Sequence, residues 1–233
     1  MTKTKVLDHG FIELIDTLGN DLTVVNSARV SFGKRKTEMD ESDKKLINYL
    51  AKHKHWSPFR HVQLQFHCKV PEFIARQWYK HVVGCNYTSV DSTPDHAWNE
   101  ISMRYVDAGD FDFYCPKELR QQSSNNKQCS TEQLISFEGP DGKELAIIQE
   151  TSKILTQTYK FFIESNVARE QARMVLPLNI YTEFYWTASL QAVANFIALR
   201  KHEGAQYEIR QYAEAMEEMV KKVLPVSMEA LGS

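Results

Sequence analysis

The chain has 233 residues, 42% of them hydrophobic and 11% aromatic, and a formal net charge of −2. That length suits one large domain, and the aromatic content excludes a disordered chain. The acidic balance argues against nucleic acid as the main partner, because proteins that track phosphate backbones carry a basic excess. The opening stretch MTKTKVLDHGFIELID lacks the apolar run of a signal peptide. No stretch reaches the roughly 18 consecutive apolar residues of a membrane span. A soluble, cytoplasmic protein with no membrane partner is expected. Cys68, Cys85, Cys115 and Cys129 form no C-x-x-C pair and read as free thiols in a reducing compartment.

Along the chain, FIELID and LTVVNSARVSF bracket a Gly19-Asn20-Asp21 turn, which predicts a hairpin or two short strands. A helix follows, capped by Asp40 or Ser42, with Leu46, Ile47 and Leu50 on its apolar face. Residues 62–70, VQLQFHCKV, alternate apolar and polar side chains, the pattern of a strand with one buried face. Pro71 then fits the first turn of a helix, EFIARQWYKHV. On that helix Phe73, Ile74 and Trp78 are apolar, while Arg76 and Lys80, and Gln77 and His81, stack one turn apart. Residues 84–95 are irregular, and 120–143 read as surface loop with a short helix within it. Helices are predicted at about 144–166, 167–175, 180–200 and 205–223, punctuated by Pro177 and Gly204 and ended by Pro225. Strands early and helices late predict an α+β fold.

The candidate chemistry lies in a few short stretches. NEISMRY, residues 99–105, sets Glu100, Ser102 and Arg104 at alternate positions: an acceptor, a hydroxyl and a cation side by side. Arg76, Lys80 and His81 form a second basic group, and Arg169, Arg173 and Arg200 a third. Gln77 and Asn195 add neutral donors. Any one of these alone is an ordinary solvated helix face. Together, flanked by aromatics in an acidic protein, they favour a pocket for a phosphorylated small molecule, because phosphate takes convergent guanidinium and amide donors. Among His53, His55, His61 and His67, the pair His53 and His55 could ligate from one segment, but no nearby carboxylate or thiol completes a recognisable set, so no metal site is predicted. Ser102 lies in no G-x-S-x-G elbow, and neither G-x-G-x-x-G nor G-x-x-x-x-G-K-[ST] occurs.

Several of these stretches resemble the flavin-dependent thymidylate synthases. They are HKHWSPFRHVQLQFHCKVPEFIARQWYKH, NEISMRY, VAREQARMVLPLNIYTEFYWTAS and NFIALRKHEGAQYEIRQYA. The likeness runs from SARVSF to the last helix. It implies one domain over residues 1–233, with a central, mostly antiparallel sheet and long helices, assembled as a homotetramer with active sites between subunits. It implies reductive methylation of dUMP to dTMP, with methylenetetrahydrofolate as carbon donor, NADPH as reductant, FAD as hydride relay and no cysteine nucleophile. By the same likeness dUMP meets Arg76, Gln77, Trp78, Tyr79, Lys80, Glu100, Ile101, Ser102, Met103, Arg104, Arg173 and Arg200. Arg200 polarises the uracil and Ser102 joins it as a catalytic residue. FAD meets Ser57, Lys80, His81, Val82, Glu100, Ser189, Gln191, Asn195 and Leu199.

The chain also departs from the family pattern. The usual R-H-R is Lys80-His81-Val82, and an insertion at about 83–98 separates it from Ser102. Arg60 stands where the family has an acidic residue, Gly204 replaces a histidine, and Ser189 and Gln191 replace the usual polar pair. Arg60 is expected to restore part of the charge lost at Val82, and the insertion to form a lid or an intersubunit contact. A nucleotide-binding relative without flavin chemistry is the alternative, and a structural or nucleic-acid-binding protein a more distant one.

Overall fold

The structure, a computed structural model, describes residues 3–82, 97–107, 111–127, 129–135 and 143–232. Of the insertion expected at about 83–98, residues 83–96 lie outside the described residues, as does most of the EGPDGK turn.

A five-stranded antiparallel sheet organises the chain. Its strands are β1 (Lys3–Val6), β2 (Gly10–Leu18), β3 (Gln63–Pro71), β4 (Trp98–Glu100) and β7 (Tyr181–Ser189), in the order β1-β2-β3-β7-β4. The alternation in β3 is realised: Leu64, Phe66, Cys68 and Val70 are fully buried, while Gln63, Gln65, His67 and Lys69 face the other way. Facing residues on β7 continue the pattern, Phe66 opposite Trp186 and Cys68 opposite Phe184. Against this buried face pack α1 (Asp21–Arg29), α2 (Glu41–Lys52), α3 (Ser57–Arg60), α4 (Glu72–Trp78), α7 (Leu190–Lys201), α8 (Tyr207–Val223) and α9 (Pro225–Ala230). Gly10 lets α8 approach: a Cβ there would run into the Tyr212 hydroxyl, which donates to the Lys69 carbonyl at 2.8 Å.

A smaller cluster of Met103, Tyr159, Ala172 and Ile180 joins α5 (Lys143–Glu164) and α6 (Arg169–Ala172) to the sheet edge. Two-stranded β5 (Arg120–Gln122) and β6 (Ser130–Leu134) are pinned to α8 by Arg120, whose Nη2 lies 2.6 Å from Glu208 Oε1.

Several expectations are corrected. LTVVNSARVSF is no strand: its first part is α1, despite the β-branched run. Gly19, at φ 85°, turns the chain, and Asn20 and Thr23 form a reciprocal capping box that satisfies the first N–H groups. Asp21 accepts from the N–H groups of Val226 and Ser227 at 3.0 and 2.9 Å, so Pro225 opens α9 instead of ending the helical run. Residues 120–134 form a hairpin, not a loop with a short helix. The helix expected over 180–200 is a strand followed by a helix, and 167–175 shrinks to α6 and one 3₁₀ turn at Arg173–Val175. Burial in β7 alternates from Thr182 to Ala188, but outward-facing Tyr185 is aromatic and 45% exposed, while inward-facing Thr182 carries a hydroxyl. The polarity of its side chains therefore does not follow the alternation that would have identified it.

Candidate active site

Helix α4 divides the site. Its first N–H groups are satisfied by the 178–180 segment: Glu72 N donates to Ile180 O at 2.9 Å and Phe73 N to Leu178 O at 3.1 Å. Pro71 ends β3 and sits just before this helix. Ile74, Ala75 and Trp78 face the core. Glu72 and Arg76, one turn apart, face a cleft, whereas Gln77, about 100° further round, points to a different neighbour.

The cleft holds about 610 Å³ and is lined by Arg76, Glu100, Ile101, Ser102, Met103, Arg104 and Arg173, with Glu72 and Glu170 among its further residues. Three guanidiniums therefore meet three carboxylates over an apolar floor of Met103, Leu176 and Ile180. The strand in NEISMRY ends at Glu100; Ser102 to Arg104 form a turn, closed by Tyr105 N donating to Ser102 O at 2.9 Å. Glu100 accepts from Thr182 Oγ1 at 2.6 Å and from Trp98 Nε1 at 3.1 Å. Ser102 Oγ accepts from Arg104 Nε at 3.0 Å. Arg173 reaches the cleft, while Arg169, one turn earlier, is not among its lining residues. Glu72 and Glu170 escaped the sequence reading; the i,i+4 spacing of Glu72 and Arg76 was the available signal.

Arg200 lies elsewhere, on the last turn of α7. Its Nη2 donates to the Gln77 carbonyl at 3.1 Å and its Nε to His81 Nε2 at 3.2 Å. Burial, and then the neighbouring Arg200 charge, push the His81 pKa down to about 4. The imidazole is neutral at pH 7, and with Nε2 accepting, its proton sits on Nδ1. Gln77 Nε2 in turn donates to Gln206 Oε1 at 2.7 Å.

The family is settled by the match over most of the chain. The sequence model described as "Thymidylate synthase complementing protein" matches residues 13–226. The flavin-dependent thymidylate synthase of Thermus thermophilus is 43% identical over 225 residues, 97% of this chain and 76% of the relative. The chain belongs to the flavin-dependent thymidylate synthase family. The Thermosipho africanus enzyme of that name is 39% identical over 226 residues, covering 97% of this chain and 92% of its own. Among solved structures, a UMP/dUMP methylase from Streptomyces cacaoi, PolB, bound with 5-Br dUMP, superposes with a TM-score of 0.79 at 28% identity. That superposition covers 98% of this chain and 97% of PolB.

The residues that the family pattern assigns to dUMP and FAD fall into separate groups in this flavin-dependent synthase. Trp78 is a correction: it is fully buried and stacks on Phe196 with centroids 4.4 Å apart, so its side chain is core, not ligand surface. Ser189 is another, being fully buried with Oγ accepting from Ala192 N at 3.2 Å as the cap of α7. Tyr79 and Lys80 are exposed at the end of α4. On the flavin side, Ser57 is exposed at the start of α3, Leu199 is 62% exposed on α7, and Asn195 is half-buried. Gln191 is buried, and its Oε1 accepts from Arg60 Nε at 2.7 Å. Val82 is half-buried and brings no polar atom. The hydroxyl of Ser57, the amide of Asn195 and the cations Arg60 and Lys80 are of the chemical types that hold a diphosphate.

Proposed function

We propose that this single-domain chain converts dUMP to dTMP, taking the carbon from methylenetetrahydrofolate and the electrons from NADPH. The observation that carries the reading is Arg200, a partly buried guanidinium that, among the described residues, donates to the Gln77 carbonyl and to neutral His81. A fixed cation in such surroundings stabilises negative charge as it develops on a uracil ring and favours ionisation at N3. Arg76, Arg104 and Arg173 bind the phosphate, and Ser102 and Glu100 orient the nucleotide from the same cleft. Ser57, Arg60, Lys80, His81 and Asn195 would hold FAD, which would supply hydride-transfer chemistry when bound. Of the described cysteines, Cys68 is buried and none lines the cleft, in keeping with a reaction that needs no thiol nucleophile.

Arg76 and Gln77 are adjacent on α4 and face different ways, so one chain does not turn its whole residue set toward one ligand. A homotetramer with sites between subunits resolves this split. Among the described residues no helix is long and apolar enough to cross a membrane, and the reading places the enzyme in the cytoplasm.

The test is dTMP formation from dUMP with methylenetetrahydrofolate, NADPH and excess FAD. Turnover is expected to require both FAD and NADPH and to fall about 10²–10³-fold in Arg200→Ala, the scale for removing a transition-state charge partner. Val82 and the occupied hydroxyl of Ser189 favour the second reading, a nucleotide-binding relative without flavin chemistry. Binding of dUMP by a folded protein that makes no product would establish it.

A further inference from the structure

We propose that Glu72 is a proton-binding counter-ion of the nucleotide cleft, so that a phosphate-bearing ligand enters together with a proton. The inference rests on the reading of the cleft as the dUMP phosphate site. Glu72 opens α4 one turn before Arg76 and lines the same cavity. The groups that face it come from each surrounding element: Arg76 on its own helix, Glu100 from β4, Arg104 from the turn beyond, and Glu170 and Arg173 from α6 and the 3₁₀ turn. Glu100 differs from it in having both oxygens engaged, by Thr182 and Trp98.

Burial and then the nearby Glu100 charge raise the Glu72 pKa from its ordinary value, while Arg76 and Arg173 hold it down. Those same guanidiniums are the phosphate ligands of the proposed site. A phosphate that engages them withdraws the positive field that keeps Glu72 ionised and adds negative charge beside it. Both changes raise the Glu72 pKa further, so the proton moves from solvent onto the carboxyl as the ligand binds. A protonated Glu72 no longer repels the phosphate and can donate its O–H to it.

Calorimetric titration of dUMP into the full-length protein, at about pH 7 in buffers of different ionisation enthalpy, counts the protons taken up per nucleotide. A phosphate monoester has its second pKa near 6, so at pH 7 it is already about nine-tenths dianion and its own release is at most about a tenth of a proton. Wild type is expected to take up more protons than Glu72→Gln, by as much as about one, with Glu72→Asp retaining the uptake. At higher pH, where wild-type Glu72 is ionised, Glu72→Gln should bind dUMP more tightly, by about tenfold for each pKa unit of coupling. A merely structural role would change affinity without changing the proton count. Equal proton counts in wild type and Glu72→Gln overturn the inference and leave the nucleotide reading intact. Absence of dUMP binding by wild type overturns both.

Discussion

The cleft beside Glu72 and Arg76 and the surroundings of Arg200 both border α4 and treat positive charge in different ways. In the cleft, Arg76, Arg104 and Arg173 face Glu72, Glu100 and Glu170, so charge is balanced by charge. Arg200 is held by a backbone carbonyl and a neutral imidazole. Guanidiniums and carboxylates share the cleft lining, and an incoming anion that engages the guanidiniums suits binding. Among the described residues Arg200 pairs with no carboxylate, which suits stabilising a charge that appears only during reaction.

Perturbations should separate the two regions. Trp78→Ala breaks both, since Trp78 is fully buried beneath α4 and touches Phe184, Trp186, Phe196 and Tyr212. Its cost should be about 3–5 kcal/mol, read as a loss of unfolding free energy in denaturant titration. Arg173→Ala acts on the cleft alone. Loss of charge-assisted hydrogen bonds worth about 1.5–3 kcal/mol should raise the KM for dUMP roughly 10- to 150-fold. kcat should change little, in contrast to Arg200→Ala. A fall in kcat with KM intact would erase the distinction between the two regions. The smallest effect is expected for Arg60→Ala, outside both. Arg60 is exposed and its charge is screened, so FAD affinity should weaken by about two- to fivefold, the scale of about 0.2–1 kcal/mol for surface pairs. Unchanged flavin affinity, measured by fluorescence titration, would remove Arg60 from the flavin side.

The sequence was most legible where one face of an element meets water. β3, α2, α5 and α8 each carry a clear period, and their bounds lie close to those expected. β7 was misread because its polarity does not follow its burial: aromatic Tyr185 faces outward and Thr182 inward. α1 was misread because Val24 and Val25 suggest strand, while the decisive groups, Asn20 and Thr23, act through a local cap. The cleft was legible through Arg76, Arg173 and NEISMRY. Glu72 was not, because a carboxylate at the start of a helix is expected for the helix's own sake. The Gln77–His81–Arg200 grouping joins positions more than a hundred residues apart, and only folding brings them together.

The shortness of α4 has a mechanical consequence. Seven residues at about 1.5 Å each make a rod roughly 10 Å long, too short to bend. One end carries Glu72 in the cleft and the other offers the Gln77 carbonyl to Arg200. The helix thus joins the cleft to the Arg200 hydrogen bonds by a short, continuous stretch of backbone.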